Sequence, residues 1–119
     1  PLLLAALSAC RSDPPTLFEK ISAAHSGVRF ANNLTPSDSL NAFTFTNFYN
    51  GGGVGVGDFN RDGKPDLFFS GNQESCRLYV NEGDFHFSDK TESAGVKTAR
   101  WCTGVSVADV NADGWDDIY

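Results

Sequence analysis

Apolar and polar residues alternate along this chain in short runs, each broken by glycine or by acidic residues. Gly27-Val28-Arg29-Phe30 and Phe43-Thr44-Phe45-Thr46-Asn47-Phe48 carry the two-residue period of half-buried strands. Val54-Gly55-Val56, Leu67-Phe68-Phe69, Arg77-Leu78-Tyr79-Val80 and Phe85-His86-Phe87 predict four more strands. Tyr49-Asn50-Gly51-Gly52-Gly53 is a sharp break before the first of these four. Turns are expected at Asn81-Glu82-Gly83-Asp84 and at Thr91-Glu92-Ser93-Ala94-Gly95. From Thr16 to Ala24 the pattern fits one helical turn around Leu17, Phe18 and Ile21. The expected class is all-β.

The chain then repeats itself. The stretch from Gly53 to Leu67 aligns without a gap on the stretch from Gly104 to Ile118, at a constant offset of 51 residues. A period of about fifty residues holding four short strands is the signature of a β-propeller blade. The expected architecture is a propeller fragment, with one complete four-stranded blade and the start of the next. A propeller typically needs about four to eight blades to close, so this stretch reads as a piece with exposed strand edges. No Met is present and the chain stops within a strand-like run, which is also the pattern of a fragment.

Both repeats hold the same acidic loop, Asp-x-Asn-x-Asp-Gly-x-x-Asp. Alternate positions of a tight loop turn their oxygens inward, and the central Gly permits the bend. Asp58, Asn60, Asp62 and Asp66 are the candidate metal ligands of the first loop, with the backbone carbonyl of Lys64. Asp109, Asn111, Asp113 and Asp117 are those of the second, with the carbonyl of Trp115. The donors are all oxygen, which implies a hard ion, and a flexible oxygen cage suits Ca²⁺ better than Mg²⁺. Two Ca²⁺ sites are expected, with a structural role, because no base or nucleophile accompanies the ligands. An EF-hand is excluded: Phe69 stands where its bidentate Glu would be, and the flanks are strand-like. The alternative is a pair of Asx-rich turns with no metal.

Charge sharpens this picture. Nine basic residues face fifteen acidic ones, a net charge of −6, which disfavours nucleic acid as a partner. Seven of the fifteen acids, Asp116 among them, lie within the two loop windows, so the acidity is local rather than spread for solubility. No apolar run approaches the length of about eighteen residues that a membrane span needs.

The amino end reads as an address. Pro1-Leu2-Leu3-Leu4-Ala5-Ala6-Leu7-Ser8-Ala9-Cys10 has the form of the back half of a secretory signal. Leu7-Ser8-Ala9-Cys10 resembles the bacterial lipobox, which makes Cys10 a lipidation candidate after a signal remnant at 1–9. Residues 10–26 would then be the lipidated Cys and its tether, opening with the polar, Pro-containing Arg11-Ser12-Asp13-Pro14-Pro15. Lipidation would hold the protein at a membrane surface without a spanning helix. Asn33-Leu34-Thr35 fits a glycosylation sequon, but Pro36 follows and the signal is of bacterial type, so it is set aside.

With Cys10 acylated, Cys76 and Cys102 remain, and an exported protein with two leftover cysteines invites a disulfide. Such a bridge would contribute about 3 kcal/mol in the chain-entropy account. The alternative is two free buried thiols. His25 and His86 lack ligand-spaced partners and read as surface or strand histidines. The Phe-rich strands read as blade core, while Trp101 and Trp115 fit either core or a stacking surface.

The run from Val54 to Leu67 resembles an FG-GAP/VCBS repeat, and the resemblance extends over residues 27–119. That family forms β-propellers with Ca²⁺ in the loop between a blade's first two strands, the integrin α-subunit head being a relative. Gly51-Gly52-Gly53-Val54 and Arg77-Leu78-Tyr79-Val80-Asn81-Glu82-Gly83 are similar to VCBS lipoproteins of Bacteroidetes type. Those resemble the cartilage acidic protein group and often carry an ASPIC/UnbV domain. One departure is the Asn at the third loop position in both repeats, which removes a negative charge and weakens Ca²⁺ binding. An affinity on the order of 10⁻⁴–10⁻³ M would suffice outside a cell. The resemblance implies a non-enzymatic, cell-surface, calcium-stabilised lipoprotein that binds or scaffolds a protein or glycan, exported to the outer membrane or cell surface. The alternatives are a propeller-based glycan hydrolase or lyase, or a structural module attached to a downstream catalytic domain.

Overall fold

A computed structural model describes residues 16–119, so the lipobox and Cys10 lie outside the described residues. Four strands, β1 (Val54–Gly57), β2 (Asp66–Phe69), β3 (Arg77–Gly83) and β4 (His86–Asp89), form an antiparallel meander in chain order. A second hairpin pairs β5 (Val107–Ala108) with β6 (Asp117–Ile118). The single helix among the described residues, α1 (Ala23–Ser26), is one turn, started by the Ser22 side chain accepting from the His25 N–H and closed by Gly27. The molecule is all-β: one complete four-stranded unit and the first hairpin of another, with no closed barrel among the described residues.

The two hairpins have the same register. Gly57 pairs with Asp66 across β1–β2, and Ala108 pairs with Asp117 across β5–β6. Each acidic loop therefore leaves and re-enters its sheet at equivalent positions. At the other end of the meander, β3 runs on to Gly83, three residues beyond the expected strand, through a bulge between Asn81 and Gly83. Asp84 and Phe85 then make the turn, with φ of 49° and 57°. Two successive positive φ values match the twist of the flanking strands, which is why the turn falls here. The strand expected from Phe85 starts instead at His86.

The core lies between the β2–β3 face and the second repeat. Phe68, Cys76 and Leu78 are buried there, and Phe59, Val96, Cys102, Val105 and Ile118 pack against them. Burying one such large side chain stabilises by about 1.5–3 kcal/mol. The approach of the second repeat depends on a residue without a side chain. A Cβ on Gly55 would lie 2.6 Å from Cγ1 of Val105 and 2.8 Å from Cγ2 of Val107. Asn72, buried at the junction, donates from its amide to the carbonyls of Gly51 (3.1 Å) and Cys102 (2.9 Å). Its own N–H donates to Asn32 Oδ1 at 3.0 Å.

Two expected strands are not strands. Gly27 to Phe30 joins no ladder; it docks on the sheet through side chains, with Phe30 stacked on Phe69 at 5.2 Å. The Arg29 N–H donates to the Tyr79 hydroxyl at 3.3 Å. The alternation there marks a docking face, because side-chain contact selects the same period as sheet pairing. Residues 43–48 form turns. Asn41 Oδ1 accepts from the N–H groups of Phe43 and Thr44, and the Asn41 carbonyl accepts from Phe45 N–H at 2.8 Å. These local bonds compete successfully with an extended chain. Phe43 is left exposed and Phe48 buried against Trp101, whose ring also meets Phe45 edge-on at 5.2 Å. Leu17 and Phe18 are exposed and lie outside the helix, which starts at Ala23 where Ser22 can cap it.

Candidate metal centre

Each acidic loop is a short chain reversal whose own side chains satisfy its backbone. In the first, Asp58 Oδ1 accepts from Asp62 N–H (3.0 Å) and Oδ2 from Gly63 N–H (2.8 Å). Asn60 Oδ1 also accepts from Asp62 N–H, and Asp62 Oδ1 accepts from Lys64 N–H at 2.9 Å. In the second, Asp109 accepts from Asp113 and Gly114, Asn111 from Asp113, and Asp113 from Trp115, at distances within 0.1 Å of the first set. Arg61 and Ala112 both sit near φ 60°, and Gly63 and Gly114 both at φ 84°. That last position is the one a side chain would strain.

The structure thus gathers Asp58, Asn60, Asp62 and the Lys64 backbone in one turn, and Asp109, Asn111, Asp113 and Trp115 in the other. Asp66 and Asp117 stand apart, at the base of each loop. Asp66 is fully buried: Oδ2 accepts from Phe59 N–H (3.0 Å) and Oδ1 from Asn81 N–H (2.8 Å). Asp117 Oδ2 makes the equivalent bond to Val110 N–H at 3.0 Å. Among the described residues no three His, Cys, Asp or Glu side chains converge as a ready-made metal cluster. The carboxylates are turned to backbone N–H groups instead.

Electrostatics separates the loops. Lys64 Nζ lies 2.7 Å from Asp62 Oδ2. That hydrogen bond holds the Asp62 carboxyl below its usual range and raises the Lys64 ammonium above its own. The second loop has Trp115 in the place of Lys64, and no Lys or Arg is ion-paired to its carboxylates among the described residues. The donor set fits a hard divalent ion in its chemistry, since Asp, Asn and carbonyl oxygens are the ligands such ions take. In the first loop an ammonium already stands against one of those oxygens.

Two contacts between the loops escaped sequence reasoning. The Arg61 guanidinium lies 4.7 Å from the Trp115 ring centroid, and Asp58 N–H donates to Asp116 Oδ2 at 3.2 Å. Nothing in the alternation pattern signals them. Asn81, expected in a turn, lies in β3, where its Nδ2 donates to Pro65 O at 2.9 Å. Trp101 is half-buried against Phe45 and Phe48, whereas Trp115 is exposed beneath Arg61. Cys76 and Cys102 carry free thiols packed at the junction of the repeats. His25 and His86 stack on one another at 4.1 Å, with His25 Nε2 2.9 Å from the Asp84 carbonyl oxygen.

Comparison with curated proteins and with solved structures finds no match. A protein-family comparison matches residues 58–119 to the FG-GAP-like repeat. The match opens on Asp58, the first residue of the first loop, and covers both loops and every strand from β2 to β6. Such repeats are generally structural rather than catalytic modules. With just over half of its length matched, and with the repeated hairpin-and-loop geometry described above, this chain belongs to the FG-GAP-like repeat family.

Proposed function

We propose that this chain is part of a cell-surface β-propeller that two Ca²⁺ ions stabilise and that binds or scaffolds a protein or glycan. The observation that carries the reading is the duplicated loop, hydrogen bond for hydrogen bond, at a 51-residue offset. An acidic turn kept in one conformation twice, with most of its carboxylate charge uncompensated in the second copy, is what an ion-stabilised loop requires. Asp58, Asn60, Asp62 and the Lys64 carbonyl would hold one ion; Asp109, Asn111, Asp113 and the Trp115 carbonyl would hold the other. Asp66 and Asp117 would complete or brace these sites from below. The ion would supply charge compensation and rigidity. Propellers present loops on one face, which suits recognition. The leader, with Cys10 as the acylated residue, supports export and a lipid anchor in a bacterial outer membrane of Bacteroidetes type.

Calorimetric titration of the full protein with Ca²⁺, alongside Asp62→Ala and Asp113→Ala, tests the ion sites. Two binding events in the parent, one lost in each variant, and a rise in melting temperature with Ca²⁺ are expected. No heat and no stabilisation in the parent would reduce both loops to acidic turns.

A further inference from the structure

Cys76 and Cys102 come from opposite sides of the repeat junction. Cys76, 2% exposed, lies just before β3 in the buried cluster with Phe68 and Leu78. Cys102 packs on that cluster from the segment that leads into β5. The two side chains line one cavity with Val96, Val105 and Ile118. The backbone of Cys102 is held on both sides. Its N–H donates to the Gly71 carbonyl at 2.9 Å, and its carbonyl accepts from the buried Asn72 amide at 2.9 Å. Burial pushes the Cys102 thiol above its ordinary range, and the neighbouring Cys76 sulfur adds to the shift. The arrangement favours pairing, since both side chains line one cavity and the Cys102 backbone is already fixed beside it.

We propose that Cys76 and Cys102 form a disulfide that locks the start of the second repeat onto the first blade. Cys102, the more exposed, attacks a small disulfide RSSR, forming a mixed disulfide and releasing one RSH. Cys76 then attacks the Cys102 sulfur and releases the second RSH. Two protein thiols are oxidised, RSSR is reduced to two RSH, and the two thiol protons leave with them. The lock lies seven residues before Asp109, so it restrains the segment that carries the second acidic loop. It stands whether or not that loop holds an ion.

The test is oxidation of the full protein by glutathione disulfide under native conditions, with remaining thiols alkylated in denaturant and tryptic peptides weighed. The expected product joins the peptide of Cys76 to that of Cys102, at a mass lower by two hydrogens, and dithiothreitol reverses it. The oxidised form should melt about 4 °C or more above the reduced form. Cys76→Ser and Cys102→Ser should each abolish that redox-dependent difference; if either fails to fold, the peptide map of the parent still decides. Alkylation of both cysteines after oxidation would overturn the proposal. So would a glutathione adduct left standing on Cys102, a bridge through Cys10, or pairing that appears only in denaturant.

Discussion

The two acidic loops share one conformation and live in different surroundings. Their internal hydrogen bonds agree to within about 0.3 Å, position by position. Yet Asp66 is fully buried and accepts two backbone N–H bonds, while Asp117 is half-buried and accepts one. The second donor to Asp66 is Asn81 of β3, a strand that has no counterpart beside β6 among the described residues. Lys64 neutralises Asp62 in one loop, and Trp115 offers an aromatic face to Arg61 in the other. Local sequence sets how each loop turns; the neighbouring strands and side chains set how firmly it is held and what charge it presents.

Mutation separates the two surroundings. Asp66→Ala leaves the N–H groups of Phe59 and Asn81 unpaired in a buried site and should cost about 3 kcal/mol or more. Asp117→Ala leaves one partly exposed donor and should cost about 1 kcal/mol. Urea denaturation of both variants measures the gap, and equal losses would contradict the idea that β3 makes the first loop the firmer. Gly55→Val should cost about 1–3 kcal/mol by wedging apart β1 and the Val105–Val107 segment, an effect seen as earlier hydrogen exchange in β5.

Lys64→Ala removes the ammonium that competes for the Asp62 carboxylate. If the proposed ion sites hold, it should tighten Ca²⁺ binding at the first loop a few-fold and leave the second unchanged, as read by calorimetry. The smallest expected effect lies at Asp89. Burial pushes its carboxyl upward, but hydrogen bonds from the side chain and backbone of Thr91, together with the Arg77 charge, outweigh that and hold it below the ordinary 3.8. A carboxyl lowered by folding stabilises fully above its ordinary value, and that stability is lost as pH falls through the lower folded value. Asp89→Asn should therefore cost under about 1 kcal/mol at neutral pH and nothing at about pH 2, because the pair is part-exposed. Thermal melts of parent and variant at both pH values check this.

Legibility followed the range of the interactions. The repeat, four of the six predicted strands and both loops were readable because each is specified within a few residues: alternating side chains, a turn residue, an Asp accepting from an amide four or five positions on. Residues 27–30 and 43–48 misled for the same reason. Alternation reports which side chains will be buried, and it does not say whether a strand, a docked segment or a run of turns will bury them. At 43–48 the decisive group was Asn41, which lies just outside the alternating run.

By itself the sequence determined the all-β class, the 51-residue period and the internal geometry of two acidic turns, since short-range hydrogen bonding and side-chain alternation are enough for these. Only the tertiary structure decided that Asp66 is buried under Asn81, that Arg61 covers Trp115, and that Cys76 and Cys102 line one cavity beside Asn72. Those contacts join residues that are 15 to 54 positions apart or that sit on different elements. They exist because Gly55 lets the second repeat settle on the first blade, and packing, unlike periodicity, is a property of surfaces that no local window contains.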